Sequence, residues 1–364
     1  MTVVGAVDCG TNSIRLLVAR ASSAGGVVGT SAADRGAARS ADRVADERSE
    51  EASPSADRVV DEPSEEAYRD HPPPHLVDIH REMRVVRLGQ GVDATGEFAP
   101  EAIERTRAAL ADYVDIMVSA GVERVRMVAT SATRDAANRD DFFAMTADLL
   151  GRVVEGACAE VITGDEEARL SFRGAVGELD PASGPFVVTD LGGGSTEVVV
   201  GDAQGVTAAH SADIGCVRLT ERCLPSDPPT EAEITAAHDF ARTRLAEAFA
   251  TVPVEGARTW VGVAGTMTTL SAVGAGLTAY DPEVIHLSRI SLGDLDAVCH
   301  RLIGMTRAER AALGPMHPGR VDVIGGGALV TMELARVLRD RTAITELVVS
   351  EHDILDGIAL GLLD

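Results

Sequence analysis

Lysine is absent from this chain of 364 residues: all 33 basic side chains are arginine. A Walker-type GxxxxGK[ST] loop is therefore excluded, and any cationic contact with a phosphate falls to arginine or to a metal ion. Long apolar runs are absent too. None approaches the ~20 residues that span a bilayer, and no basic segment followed by an apolar one opens the chain. A soluble, cytoplasmic protein without a membrane partner is expected. The five cysteines (Cys9, Cys158, Cys216, Cys223 and Cys299) form no CxxC pair and are odd in number. That pattern points to reduced, mostly buried thiols rather than to a zinc centre. Positive charge is scarce. A formal charge of −24 argues against nucleic acid as the main partner. It also means that the overall field repels a polyanion, so any attraction must act at short range.

What the chain does have is a pair of matched glycine-rich turns, with leading aspartates at positions 8 and 190. The first, Asp8-Cys9-Gly10-Thr11-Asn12-Ser13, separates apolar runs at 3–7 and 14–19. The second, Asp190-Leu191-Gly192-Gly193-Gly194-Ser195-Thr196-Glu197, separates runs at 186–189 and 198–201. Each reads as strand, acidic residue, Gly/Ser/Thr turn, strand. Glycine lets the backbone come close to a ligand, while N–H groups and hydroxyls supply donors for an anion. Two such loops facing each other would grip a phosphate chain from both sides.

This duplication resembles the actin, sugar-kinase and heat-shock-chaperone superfamily, in which two similar domains clamp phosphates in a cleft. Within it, the segments DCGTNS, GDEEARL and DLGGGSTE resemble the exopolyphosphatase/guanosine pentaphosphate phosphohydrolase family, over residues 2–20 and 76–364. The resemblance implies an α/β fold of two ribonuclease-H-like (actin-like ATPase) domains with a phosphate-binding cleft between them. They would span residues 1–170 and 171–364, the last helix being free to pack back on the first domain. The implied activity is removal of the terminal phosphate of inorganic polyphosphate. Short chains are favoured because the protein is close to a bare two-domain core. Guanosine pentaphosphate, an alarmone of the stringent response, is the alternative substrate. A non-catalytic polyphosphate or alarmone sensor is the reading of a different class. Mg²⁺ is the implied cofactor, with Mn²⁺ as an alternative, and a homodimer is left open.

Carried onto this sequence, the family's water-activating glutamate is Glu167, the second Glu of Thr163-Gly164-Asp165-Glu166-Glu167-Ala168-Arg169. Glu166 then points elsewhere, because adjacent helical residues do not share a face. From the residues alone a structural alternative stands beside this one: acids at a helix start suit the backbone dipole, with Asp165 as N-cap. Arg134 matches the family's phosphate-clamping arginine, a task suited to its bidentate fork. Gly10, Thr11, Asn12 and Ser13 are the candidates for one phosphate, and Gly192, Gly193, Gly194, Ser195 and Thr196 for its neighbour. Gly265 and Thr266 open a helix after a strand, where N–H donors suit a third phosphate or glycine merely allows close packing. Asp190 and Glu197 are the metal candidates, with Asp8 assisting from the opposite domain.

The remaining pattern fills in the plan. In the first half, strands are expected at 83–88, 125–130 and 159–162, with a turn at 89–96 and helices at 100–120 and 142–150. In the second, they are expected at 206–211 and 260–263, with helices at 215–223, 321–338 and 354–363. Capping boxes are legible at Thr230/Glu233 and Thr306/Glu309. The glycines at 325–327 suggest close helix–helix approach. Between 22 and 74 the apolar periodicity disappears, and SADRVADERSEEA (40–52) recurs as SADRVVDEPSEEA (55–67). Too few apolar side chains are present there to offset ordering entropy, so the insert is expected to be disordered.

Overall fold

The computed structural model describes residues 2–21 and 76–364, so the expectation of a disordered insert lies outside the described residues. At the amino terminus the apolar run forms β1 (Val3–Cys9), reverses at Gly10 and returns as β2 (Ser13–Ala21). β2 pairs along its length with β3 (Leu76–Val85). After α1 (Val92–Thr95), α2 (Pro100–Ser119) opens on a proline, whose missing N–H is an orphan donor there anyway. It leads into β4 (Arg124–Ala129), parallel to β1. Two helices, α3 (Ser131–Asp135) and α4 (Arg139–Leu150), precede β5 (Ala159–Val161), and α5 (Gly164–Val176) follows.

The second half repeats the plan. β6 (Phe186–Leu191), β7 (Thr196–Asp202) and β8 (Gly205–Ala212) form an antiparallel meander. Next come α6 (Cys216–Cys223) and α7 (Glu231–Thr251), whose Thr230/Glu233 capping box is formed. β9 (Thr259–Val263) runs parallel to β6. The chain continues through α8 (Ala264–Gly274), α9 (Pro282–Ile285), β10 (Ser288–Ser291) and α10 (Leu292–Gly304). α11 (Arg307–Ala311), capped by Thr306/Glu309, α12 (Ile324–Arg341), β11 (Glu346–Val349) and α13 (Ile354–Leu363) close it. The first sheet has the order β3-β2-β1-β4-β5 and the second β10-β11-β9-β6-β7-β8. Counted from its other edge, β8-β7-β6-β9-β11 copies the first sheet strand for strand and direction for direction, with β10 as an added antiparallel edge.

Two helices trade places on these sheets. α13 buries Ile354, Leu355 and Ile358 against Val4, Ala6 and Leu17 of the first sheet. α5, by contrast, lays Ala168 and Phe172 on Phe186, Val188 and Val261 of the second. Where they cross, a Cβ at Gly174 would overlap the Asp353 carbonyl, and one at Gly357 would overlap the Leu170 carbonyl. A boundary at residue 170 thus falls inside α5. A Cβ at Gly326 would press on Thr220 of α6, so the glycine run of α12 serves helix–helix approach.

Several details differ from expectation. β3 begins seven residues before the expected strand, because LVDIHREMRV is an edge strand whose outer face is polar and half exposed. Part of the expected turn at 89–96 is the helix α1. The N-cap of α5 is Thr163, whose hydroxyl accepts the Glu166 amide at 3.2 Å, and Asp165 instead pairs with Arg169 one turn on. All five cysteines are free thiols, three of them buried. No helix among the described residues is long and apolar enough to cross a membrane.

Candidate functional site

Both hairpins close in the same way. In the first turn the Gly10 amide donates to the Ser13 carbonyl at 3.0 Å, and in the second the Gly192 amide donates to the Ser195 carbonyl at 3.0 Å. The turns do not stand apart across a gap. A Cβ at Gly194 would lie 2.6 Å from Ser131 Oγ and 2.9 Å from Thr11 Oγ1, which is a contact only glycine permits. The Thr11 and Ser131 hydroxyls are themselves 2.9 Å apart. The abutting loops wall a cavity of about 100 Å³ that Glu167, Asp190, Cys216, Gly265, Thr266 and Arg320 also line.

Most of the expected residues meet there. Asp8, Gly10, Thr11, Asn12, Ser13, Gly192, Gly193 and Ser195 line the cavity together with Glu167, Asp190, Gly265 and Thr266. Four take other positions. Gly194 is spent on loop-to-loop packing, and the Thr196 hydroxyl donates to the Ile214 carbonyl at 2.6 Å. Glu197 lies behind the cavity, opposite Asp190 in the β6–β7 register, and accepts from Ser211 at 2.7 Å. Arg134 leaves the wall as well: its Nη1 donates to Glu167 Oε2 at 2.8 Å and to the Ile162 carbonyl at 3.0 Å. Glu166 pairs outward with Arg126 at 2.5 Å.

The electrostatics follow from burial. Glu167 is only 7% exposed; desolvation pushes its carboxyl up to about 7, against the pull of Arg134. Asp190 rises to about 6, through burial first and then the nearby Asp353 carboxylate, while a bond from Ser171 works the other way. Burial, together with the negative charges of Glu167 and Asp190, drives Glu197 well above the usual carboxylate range. Asp8 is also raised by burial, opposed by Arg15, which holds it at 2.7 and 2.9 Å and reaches on to Asp353. Burial lifts the Cys216 thiol to about 11, which favours its neutral form.

Sequence reasoning missed three members of the site. Arg15 sits directly opposite Asp8 in the hairpin register, a pairing that the short turn already implies. Asp353 and Arg320 arrive from the far end of the chain and carry no local signal. The Arg320 guanidinium lies flat against Gly265, where a Cβ would overlap it, and its Nη1 donates to Thr269 at 3.0 Å. Beyond it opens a second cavity of about 480 Å³, which shares Arg15, Gly265 and Arg320 with the first and adds Arg81, Met83, Tyr280 and Met316.

A divalent cation fits this chemistry. Glu167, Asp190 and Glu197 are buried carboxylates whose mutual repulsion calls for positive charge, and all their donors are hard oxygens. Among the described residues, no three of these carboxylates bring oxygens within 4.8 Å of one another. The set is therefore no closed cage, and suits an ion such as Mg²⁺ that keeps water and substrate oxygens as ligands.

The chain is 59% identical over 362 residues to the Mycobacterium tuberculosis protein named exopolyphosphatase 2, covering 100% of this chain and 99% of that one. It superposes on the crystal structure of an exopolyphosphatase-like protein with a TM-score of 0.80 at 38% identity, covering 100% and 99% of the two chains. With the Aquifex aeolicus PPX-GPPA enzyme the TM-score is 0.70 at 26% identity, covering 99% of each. The two-sheet α/β architecture is the actin-like fold of these proteins. A family model, that of the Ppx/GppA phosphatase family, matches residues 69–361, and the chain belongs to that family.

Proposed function

We propose that the protein is an exopolyphosphatase, a phosphoanhydride hydrolase that takes the terminal phosphate from inorganic polyphosphate and works with Mg²⁺. The observation that carries this reading is Glu167. It is a buried carboxyl raised to about 7 and aligned by Arg134, and it lines the same cavity as both glycine turns. A base poised near neutrality is what in-line attack by water needs. The terminal phosphoryl group sits against the Thr11, Asn12, Ser13 and Ser195 hydroxyl, amide and backbone donors. Glu167 takes a proton from water as its oxygen bonds to the terminal phosphorus. The bond from that phosphorus to the bridging oxygen breaks, the shortened chain leaves with the bridging oxygen, and orthophosphate is released. Arg134 is a positioning residue that orients Glu167. Asp190, with Asp8, would hold the metal, which neutralises charge on the phosphoryl oxygens, and Glu197 would act on it from behind the cavity through its charge.

A second reading has one observation in its favour. The adjoining cavity of about 480 Å³ offers Tyr280, Met83 and Met316 beside three arginines, space and surfaces suited to the nucleoside of guanosine pentaphosphate. Phosphate release from size-defined polyphosphates and from guanosine pentaphosphate, each with Mg²⁺, separates the two. Release from neither substrate would overturn both and leave the sensor.

A further inference from the structure

We propose that Glu178, His286 and His352 form a second cation site, apart from the phosphate cavity, that takes a zinc-type divalent ion. The three residues come from separate places in the chain: just beyond α5, at the C-cap of α9, and in the loop between β11 and α13. One ligand atom from each lies within 4.8 Å of the others, the one such group of three His, Cys, Asp or Glu residues among the described residues. His286 Nε2 is 3.0 Å from Glu178 Oε2, and His352 Nδ1 is 3.5 Å from Glu178 Oε1. With metal–ligand bonds of about 2.0–2.1 Å, neighbouring donors of a tetrahedral zinc ion stand ~3.3 Å apart; the two imidazoles approach opposite oxygens of Glu178 at about that spacing, and a small turn of the carboxylate brings one oxygen to both. The two imidazole rings are 4.4 Å apart between centroids, tilted by 38° rather than stacked flat.

Two imidazoles and one carboxylate are a borderline-soft set suited to Zn²⁺, Co²⁺ or Ni²⁺ and not to Mg²⁺. Three protein donors leave a fourth position for water, and the half-exposed setting gives the ion a way in. The residue after His286, Leu287, is held at φ 57°, a left-handed conformation that a bulky side chain rarely adopts, and this turn presents the ring to Glu178. Without metal, His286 Nδ1 accepts the Glu351 amide at 3.2 Å, so its proton sits on Nε2 and faces Glu178. An entering ion displaces that proton to Nδ1 and the long amide contact opens, a loss of one ordinary hydrogen bond against two or more metal–ligand bonds. Glu178 lies eleven residues beyond Glu167, about 16 Å along the helix axis, so the ion would tie the exit of α5 to the entrance of α13 without touching the phosphate cavity.

The test uses untagged full-length protein stripped of metal and kept in excess Mg²⁺, titrated with Co²⁺ and then Zn²⁺. The expected result is one Co²⁺ per chain, with the visible absorption of a histidine-ligated ion that Zn²⁺ abolishes. The melting temperature should rise with the logarithm of free Zn²⁺. H286N and H352N, with far-UV dichroism like the parent, should each lose the band and the melting shift, whereas E167Q should keep both. Absence of stoichiometric Co²⁺ uptake by the parent overturns the proposal, as does an undiminished band in the H286N/H352N double variant.

Discussion

Arg134 donates to Glu167 at 2.8 Å, so an arginine from the first half of the chain sets the charge of the carboxylate that lines the phosphate cavity. Its effect opposes burial, which alone would hold Glu167 protonated at neutral pH.

Glu167→Gln keeps the size and hydrogen bonding of the side chain but cannot take a proton. Loss of a general base typically costs ~10²–10⁴-fold in rate. The expected outcome is a fall in kcat of at least that lower bound with substrate binding retained, checked by steady-state phosphate release and by equilibrium binding. Near-normal turnover would remove Glu167 from the mechanism.

The pH profile follows from the same pair. Glu167 acts as a base only when ionised, and its carboxyl is raised to about 7. At constant Mg²⁺, kcat/KM should therefore decline as pH falls through that region, in proportion to the ionised fraction. In Arg134→Gln the lowering contact is gone, so the acidic limb should move to higher pH. A limb that stays in place would mean that Arg134 does not act through Glu167.

Asp190 couples metal use to stability. Its carboxyl is about 6 when folded and near 3.8 when unfolded, so the unfolded chain ionises first as pH rises. The cost to the metal-free fold builds between those values and is constant above about pH 6. Asp190→Asn should thus melt higher than the parent at pH 8 without metal, with the gap closing near pH 4. The same variant, and Glu197→Gln, should need more Mg²⁺ for half-maximal activity. Unchanged Mg²⁺ midpoints in both variants would make these residues structural.

The crossing of α5 and α13 tolerates no side chain at Gly174 or Gly357. Gly174→Ala must push Asp353 away, and with it the Arg15 contact beside Asp8. Overpacking typically costs ~1–3 kcal/mol. A loss of that order in urea-denaturation stability, together with reduced kcat, is expected, and parent-like values in both would show that the crossing relaxes freely.

Substrate length should matter because the cavity is small and the net charge is −24. Arg320, at the mouth between the two cavities, is the cation best placed for a further phosphate. Higher kcat/KM on short polyphosphates than on long chains is expected, and Arg320→Gln should raise KM more than it lowers kcat. Measurements on a size-fractionated ladder decide: a steady rise with length would rule out a short site.

Much of this arrangement was legible because it is local. Two hairpins, each with its acid two residues before a glycine, declare themselves in a dozen residues, as do the capping boxes at Thr230 and Thr306. The start of β3 is harder to read because Arg81 interrupts the alternation of Val77, Ile79, Met83 and Val85 with Asp78, His80, Glu82 and Arg84. β10, α10 and β11 have no counterpart among the expected elements, although the capping box at Thr306 and the helix at 321–338 between them do; the two strands are only four residues each, too short to show a period. Arg15, Arg320 and Asp353 become neighbours only after the sheets pack. Arg134 was legible as a residue, but its partner Glu167, 33 positions on, could be found only in three dimensions.

The seat of α13 has a consequence for synthesis. Val4, Ala6 and Leu17 leave the ribosome long before the helix that shields them is made. At typical translation rates of ~5–20 residues per second, that face of the nascent sheet waits on the order of half a minute for its cover. During that interval it is an apolar surface that other nascent chains or chaperones can occupy. Ribosome-bound chains stalled before residue 354 should be more open to protease in residues 3–21 than chains stalled after full emergence of the final helix.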